Sequence, residues 1–216
     1  MPQELEIEVV VSSLFAENAY IVRLPENPEC LIVDPGFDHQ EIIDVVRSRD
    51  LTPAAILNTH GHSDHIAGND AMKQAWPDCP LVIGAGDAEK LTDPAKNLSA
   101  AFGAALVSPP ADVLVHHGET YEAAGIALEV RDTPGHSAGH VVFLWSAGSP
   151  QIVLGGDVLF RGGVGRTDFP DGSFEQLEAS IRQQLYTLPE DTRILPGHGP
   201  ETTIGLEKKT NPFIAG

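Results

Sequence analysis

The sequence predicts a layered α/β fold with mixed β-sheets. Short apolar runs of strand character come in groups, and amphipathic helical stripes separate the groups. Several of those runs end in glycine-containing turns that carry histidine or aspartate, which is how an α/β fold builds a site at the edge of its sheets.

The elements follow in chain order. Leu5 to Val11 alternates apolar and acidic residues, then turns wholly apolar, and reads as a strand. Ala19 to Leu24 and Cys30 to Val33 are two more, joined by the Pro25–Pro28 turn, and Asp34-Pro35-Gly36 ends this meander. Asp38 and Glu41 have capping-box spacing ahead of Ile42, Ile43, Val45 and Val46, so a helix to about Asp50 is expected. Ala54 to Leu57 is a short buried strand that runs into Asn58-Thr59-His60. A helix over Ile66 to Trp76 and a strand over Leu81 to Ile83 come next. Thr92 to Pro110, mixed in Ala, Pro and Ser, has no assignable element and is expected to be a loop flanking the site. Ile126 to Arg131, His140 to Trp145 and Ile152 to Leu154 read as strands. Ser173 caps a helix with the stripe Phe174, Leu177, Ile181 and Leu185. A last strand, Arg193 to Leu195, ends at Pro196-Gly197-His198. With no repeat and no low-complexity linker, the 216 residues are expected to form one domain over 1–216.

Charge and cysteine content narrow the function. The chain has 13 basic against 31 acidic residues, a net charge of −18, which repels phosphate backbones and anionic lipid heads. Nucleic acid and membrane partners are therefore not expected. No apolar stretch approaches the roughly 20 residues of a membrane span. Glu4, Glu6 and Glu8 break up any signal-peptide pattern. Cys30 and Cys79 make no disulfide framework, so a reducing, cytoplasmic setting is expected.

The chemistry concentrates in Thr59-His60-Gly61-His62-Ser63-Asp64-His65. Four metal-capable side chains fall within six residues, just after a strand. Alternation around Gly61 points the His60 and His62 rings the same way along an extended backbone. Asp64 and His65 belong to the start of the next helix and can face the same cavity. Such a histidine–carboxylate set suits zinc, and also iron or manganese. Three distant turns add candidates: Thr133-Pro134-Gly135-His136, Leu154-Gly155-Gly156-Asp157 and Leu195-Pro196-Gly197-His198. Each follows an apolar strand, and each has a glycine beside the ligand that lets the backbone approach closely.

These motifs resemble the metallo-β-lactamase superfamily, and more closely the short bacterial branch of its glyoxalase-II-like hydrolases. Asp34-Pro35-Gly36, Gly165-Arg166-Thr167-Asp168-Phe169-Pro170 and Asn211-Pro212-Phe213 extend the resemblance over most of the chain. It implies an αββα sandwich of two mixed β-sheets flanked by helices. It implies one ion on His60, His62 and His136, a second on Asp64, His65 and His198, and Asp157 bridging both. Two divalent ions, zinc first with iron or manganese as alternatives, are the expected cofactors. Asp64 and Asp157 would support a hydroxide between the ions, since one zinc alone lowers the pKa of water from about 15.7 to about 7. β-Lactamases of the superfamily often have cysteine where this chain has Asp157, which argues against antibiotic hydrolysis.

The expected substrate is a small-molecule thioester, because a thiol of pKa about 8.5 leaves as thiolate without a general acid. The resemblance points to a hydroxyacyl-thiol such as S-lactoylglutathione, with Arg166 on the substrate carboxylate. Full-length glyoxalase II continues past Asn-Pro-Phe with basic residues, whereas Ile214-Ala215-Gly216 follows here, leaving Lys208 and Lys209 as substitutes. The alternative is a persulfide dioxygenase with one iron on residues matching His60, His136 and Asp157. His140 is expected to support the site rather than ligate, and Trp76 and Trp145 to lie in the core.

Overall fold

The structure is a computed structural model that describes residues 4–216. One sheet has the order β1 (Glu6–Val11), β2 (Asn18–Arg23), β3 (Glu29–Val33), β4 (Thr52–Asn58), β5 (Leu81–Gly84) and β6 (Val113–Val115). Its first three strands pair antiparallel and the rest parallel. The second sheet contains β7 (Thr120–Ala123), β8 (Ile126–Asp132), β9 (Val141–Trp145) and β10 (Ile152–Gly156) in hairpin order. A small hairpin, β11 (Leu159–Phe160) with β12 (Gly163–Val164), leads away from it. β13 (Arg193–Pro196) then returns parallel to β10, and β14 (Thr202–Thr203) closes the edge. Both sheets are mixed.

The apolar runs in the sequence are explained by burial on both faces of the strands. In β3, Leu31 and Val33 point between the sheets, while Cys30 and Ile32 point outward under helices. In β9, Val141, Phe143 and Trp145 fill the space between the sheets, while Val142 and Leu144 face the opposite side. Helix α1 (His39–Ser48) covers the first sheet with Ile42, Ile43 and Val46. Leu177, Ile181 and Leu185 cover the second, from α4 (Phe174–Ser180) and the wider turn Ile181–Leu185 that continues it. The layers are helix, sheet, sheet, helix, the expected αββα sandwich.

Several local expectations change. Asp38 sits at the N-cap of α1 without capping it; its carboxylate accepts from Ser13 N–H at 2.7 Å instead. The helix expected over Ile66 to Trp76 is two helices, α2 (Ser63–Ile66) and α3 (Asn69–Ala75). Gly68 divides them because its N–H donates to Pro35 O at 2.7 Å rather than into the helix. Phe174 is exposed, one residue past the cap and ahead of the buried stripe. Trp145 is buried as expected, whereas Trp76 is only half-buried, packed on the core with Arg47 over its ring. The segment from Thr92 contains a 3₁₀ turn, Ser99–Phe102. β6, β7, β14 and the helix α5 (Ile204–Thr210) had no clear sequence signal, being short or polar.

Candidate metal centre

All seven candidate ligands converge at one end of the sandwich, at the seam of the two sheets. β4 ends into the segment carrying His60 and His62, and α2 carries Asp64 and His65. His136 follows β8, Asp157 follows β10 and His198 follows β13. The first sheet therefore supplies four ligands and the second sheet three.

Donor atoms of His60, His62 and His136 lie within 4.8 Å of one another, as do those of Asp64, His65 and His198. His62 Nδ1 and His136 Nε2 are 2.8 Å apart. Asp157 stands between the groups. Its Oδ1 is 3.4 Å from His65 Nε2, and its Oδ2 is 3.4 Å from His136 Nε2 and 3.6 Å from His198 Nε2. His198 Nε2 is also 3.3 Å from Asp64 Oδ2. One carboxylate thus faces both sets of histidines.

Hydrogen bonding shows that this cluster fits cations. The Thr59 hydroxyl gives its single proton to Asp34 Oδ2 at 2.7 Å, so it can only accept from His60 Nδ1–H at 3.1 Å. His65 Nδ1–H donates to Asp34 Oδ2 at 3.1 Å, and His136 Nδ1–H to Arg166 O at 2.8 Å. Each ring therefore turns its Nε2 inward, and His60 Nε2, His65 Nε2 and Asp157 Oδ1 are buried with no hydrogen-bond partner among the described residues. Buried polar atoms left this way are costly unless they hold something, and histidines oriented through their other nitrogen are the usual metal-ligand arrangement.

The charges point the same way. Burial, reinforced by the neighbouring histidines, holds His60 well below the usual imidazole range. Burial also lowers His62, and it lowers His136 against the pull of Asp157. Burial opposes ionisation of Asp157, but the field of the surrounding histidines, His65 foremost, prevails, and its carboxyl is held well below its ordinary value. His65 goes up despite burial, because Asp157 and Asp64 draw a proton onto it. The carboxylates call for positive charge, and the lowered histidines offer neutral lone pairs.

His140 has both ring nitrogens engaged within the protein. Its Nε2 accepts from Asp157 N–H at 3.0 Å, its Nδ1–H donates to Thr133 Oγ1 at 2.8 Å, and its ring stacks on His60. Sequence reasoning did not find the hub at Asp87. This fully buried carboxylate accepts from Gly61 N–H at 2.9 Å, Ser137 Oγ–H at 2.7 Å and Gly139 N–H at 2.8 Å. It ties the His60–His62 segment to the His136 turn, with Lys90 Nζ at 3.2 Å balancing its charge. Nothing in the letters near Asp87 signals this. The Thr59–Asp34 pair was likewise visible only as motif residues. Gly156, at φ +48°, permits a close approach: a Cβ there would run into the Thr59 hydroxyl and the His140 ring.

A cavity of about 340 Å³ opens over the ligands. His62, Asp64, His136, Asp157 and His198 form its floor, and Arg166 lies on its wall. Both arms of the Arg166 fork bond Asp168 at 2.7 Å, and its guanidinium sits 4.4 Å from the centre of the Phe169 ring. Lys208 and Lys209 are absent from the cavity lining; Lys209 pairs with Glu190 at 3.0 Å, and Lys208 lies over Tyr186.

The chain is similar to known proteins over almost its whole length. The chain is 40% identical over 200 residues to the "Probable metallo-hydrolase YqgX" of Bacillus subtilis, covering 92% of each chain. It is 34% identical to the "Hydroxyacylglutathione hydrolase GloC" of Haemophilus influenzae, covering 97% of this chain and 98% of that one. The solved structure of the BLEG-1 B3 metallo-beta-lactamase superposes with a TM-score of 0.92 at 35% identity, over 98% of this chain and 100% of that chain. TTHA1623, solved in a di-iron-bound form, gives 0.82 at 36% identity, over 96% of this chain and all of its own. The family model described as the metallo-beta-lactamase superfamily matches residues 13–198, so the chain belongs to that superfamily and is a metal-dependent hydrolase by family.

Proposed function

We propose that the protein is a thioester hydrolase acting on hydroxyacyl-thiols of the S-lactoylglutathione kind. Bound divalent ions would supply Lewis acidity, acidifying a water and polarising the carbonyl. His60, His62 and His136 are suited to one ion, Asp64, His65 and His198 to the other, and Asp157 to both. Zinc matches the donor set, and the di-iron neighbour supports iron as the competitor.

The observation that carries the thioester reading is the want of a free acid in the cavity. Among the described residues that line it, the carboxyls Asp64 and Asp157 and the imidazoles His62, His136 and His198 all belong to the proposed ligand set, and no Lys, Tyr, Glu or Cys joins them. Arg166 holds its protons too firmly to donate them. An amine leaving group needs a proton, whereas a thiolate does not. The cavity therefore favours a substrate whose leaving group departs as an anion. The relative named as a hydroxyacylglutathione hydrolase supports the same chemistry.

The test is to purify the protein, count its metals and assay S-lactoylglutathione beside two controls. One control is a β-lactam, included because of the similarity to BLEG-1; the other is oxygen uptake on glutathione persulfide. Two ions with thioester cleavage as the fastest reaction is the expected result. One iron with oxygen uptake would replace this reading with the dioxygenase, and rapid β-lactam opening would replace it with a lactamase.

A further inference from the structure

The walls of the cavity differ in character from its floor. Above the ligands stand Phe15, Leu98, Phe102, Phe160, Val164 and Phe169. Phe15 comes from the loop between β1 and β2, and Phe102 from the 3₁₀ turn Ser99–Phe102. Their rings meet edge-on with centroids 5.9 Å apart, and Phe15 also packs on Phe37 at 5.5 Å. Phe102 is nevertheless 67% exposed and Phe15 37%, a large apolar area to leave at the mouth of a site.

This wall is held in place. Fully buried Asn97 donates through Nδ2 to Lys90 O at 3.1 Å and to Leu106 O at 3.0 Å, and its Oδ1 accepts from Ser99 N–H at 3.0 Å. Its own carbonyl accepts from Ser63 N–H at 2.9 Å, beside the ligand Asp64. Leu98, the next residue, is held at φ +70°, a conformation a leucine adopts only at a cost. The surroundings fix that strained residue on the cavity wall, one residue from an anchor shared with the ligand segment.

Basic charge is scarce at the same mouth. Among the described residues lining the cavity, Arg166 is the one Lys or Arg, and Asp168 already holds both arms of its fork. Lys208 and Lys209 do not reach the cavity, and the chain carries a net charge of −18. Glutathione brings carboxylates that this mouth has little means to attract.

From these observations we infer that the thioester carries an apolar chain seated against Phe15, Leu98 and Phe102, and that its thiol carrier is recognised without its carboxylates. The inference rests on the thioester part of the reading above and replaces its glutathione example with a more apolar substrate. The chain lies on either the acyl or the thiol side of the reacting carbon, and both sides share the same chemistry.

The metal-loaded protein would be assayed with two series. One has acetyl, butyryl and hexanoyl groups on N-acetylcysteamine; the other has acetate esters of alkanethiols of growing length. In one series kcat/KM should rise about three- to fourfold for each methylene until the cavity is filled. Phe15→Ala with Phe102→Ala, with metal content unchanged, should flatten that slope. S-Hexanoylglutathione should be cleaved no better than S-hexanoyl-N-acetylcysteamine. Calorimetric binding of butyrate, hexanoate and octanoate should show the same chain-length slope without turnover. Flat responses in both kinetic series and in binding would overturn the inference, as would a slope that survives the double variant. A hundredfold preference for the glutathione ester would overturn its second half. No cleavage of any thioester, with the binding slope intact, would sink the hydrolase reading and leave the apolar subsite standing.

Discussion

Thr59 has one hydroxyl proton and two neighbours that need its oxygen. Asp34 takes the proton, so His60 must donate to Thr59 and present its bare Nε2 to the ligand cluster. Thr59→Val keeps the shape and removes both bonds. Metal affinity should then fall about 10- to 100-fold, read by competition with a chelator, with the circular dichroism unchanged. Unaltered affinity would mean that Thr59 does not orient the ring. The candidate ligands themselves were legible in the sequence because ligand types cluster at His60–His65 and recur beside glycines at 136, 157 and 198. Their supports were not. Asp34 meets Thr59 across 25 positions, and Asp87 meets Gly139 across 52, and one-dimensional spacing carries no trace of such meetings. Titration adds a second prediction at this scale. In the metal-free protein, His60, His62 and His140 are held low by burial, so below about pH 6.5 the unfolded chain binds protons that the folded one refuses. His65 is raised by Asp157 and Asp64 against burial, and its stabilising contribution, complete below about pH 6.5, fades as pH climbs through its higher folded value. Urea midpoints of the metal-free protein should therefore peak near neutrality and decline on both sides. A midpoint that rises steadily to pH 9 would contradict these assignments.

At the scale of the element, β9 shows what an apolar run in this chain means. Val141 to Trp145 has no polar position because one face meets the other sheet and the opposite face meets the α4 layer. Strands of this kind, and the meander that opens the chain, could be read from letters alone. Two- to four-residue edge strands such as β6 and β14 could not, since pairing rather than pattern creates them. The single helix expected over Ile66 to Trp76 failed for a related reason: the Gly68 amide is claimed by Pro35, a tertiary contact that interrupts the stripe. Phe143 is fully buried between the sheets, and Phe143→Ala should cost about 3–5 kcal/mol of stability by denaturant titration. A loss below about 1 kcal/mol would show that the sheets close over the gap.

For the whole molecule, the acidic excess acts at a distance on anything that approaches. A negatively charged thioester such as S-lactoylglutathione should gain in kcat/KM as salt rises from about 20 to about 200 mM, because screening weakens the repulsion. A neutral thioester should be indifferent, and a decline for the anionic substrate would reveal a local attractive field stronger than the global one. No helix among the described residues is long and apolar enough to cross a membrane. The αββα layering was legible from the strand grouping together with the family motifs; the way the layers are tied was not. Asn18 and Tyr20, both on β2 of the first sheet, donate to Pro196 O on β13 of the second at 2.9 Å and 2.8 Å. These bonds sit one turn away from His198, at the seam where both halves deliver their ligands. A cation held there is a rivet through two plates: prising the plates apart releases it, and seating it resists the prising. Heat resistance and cargo occupancy should consequently rise and fall as a single quantity.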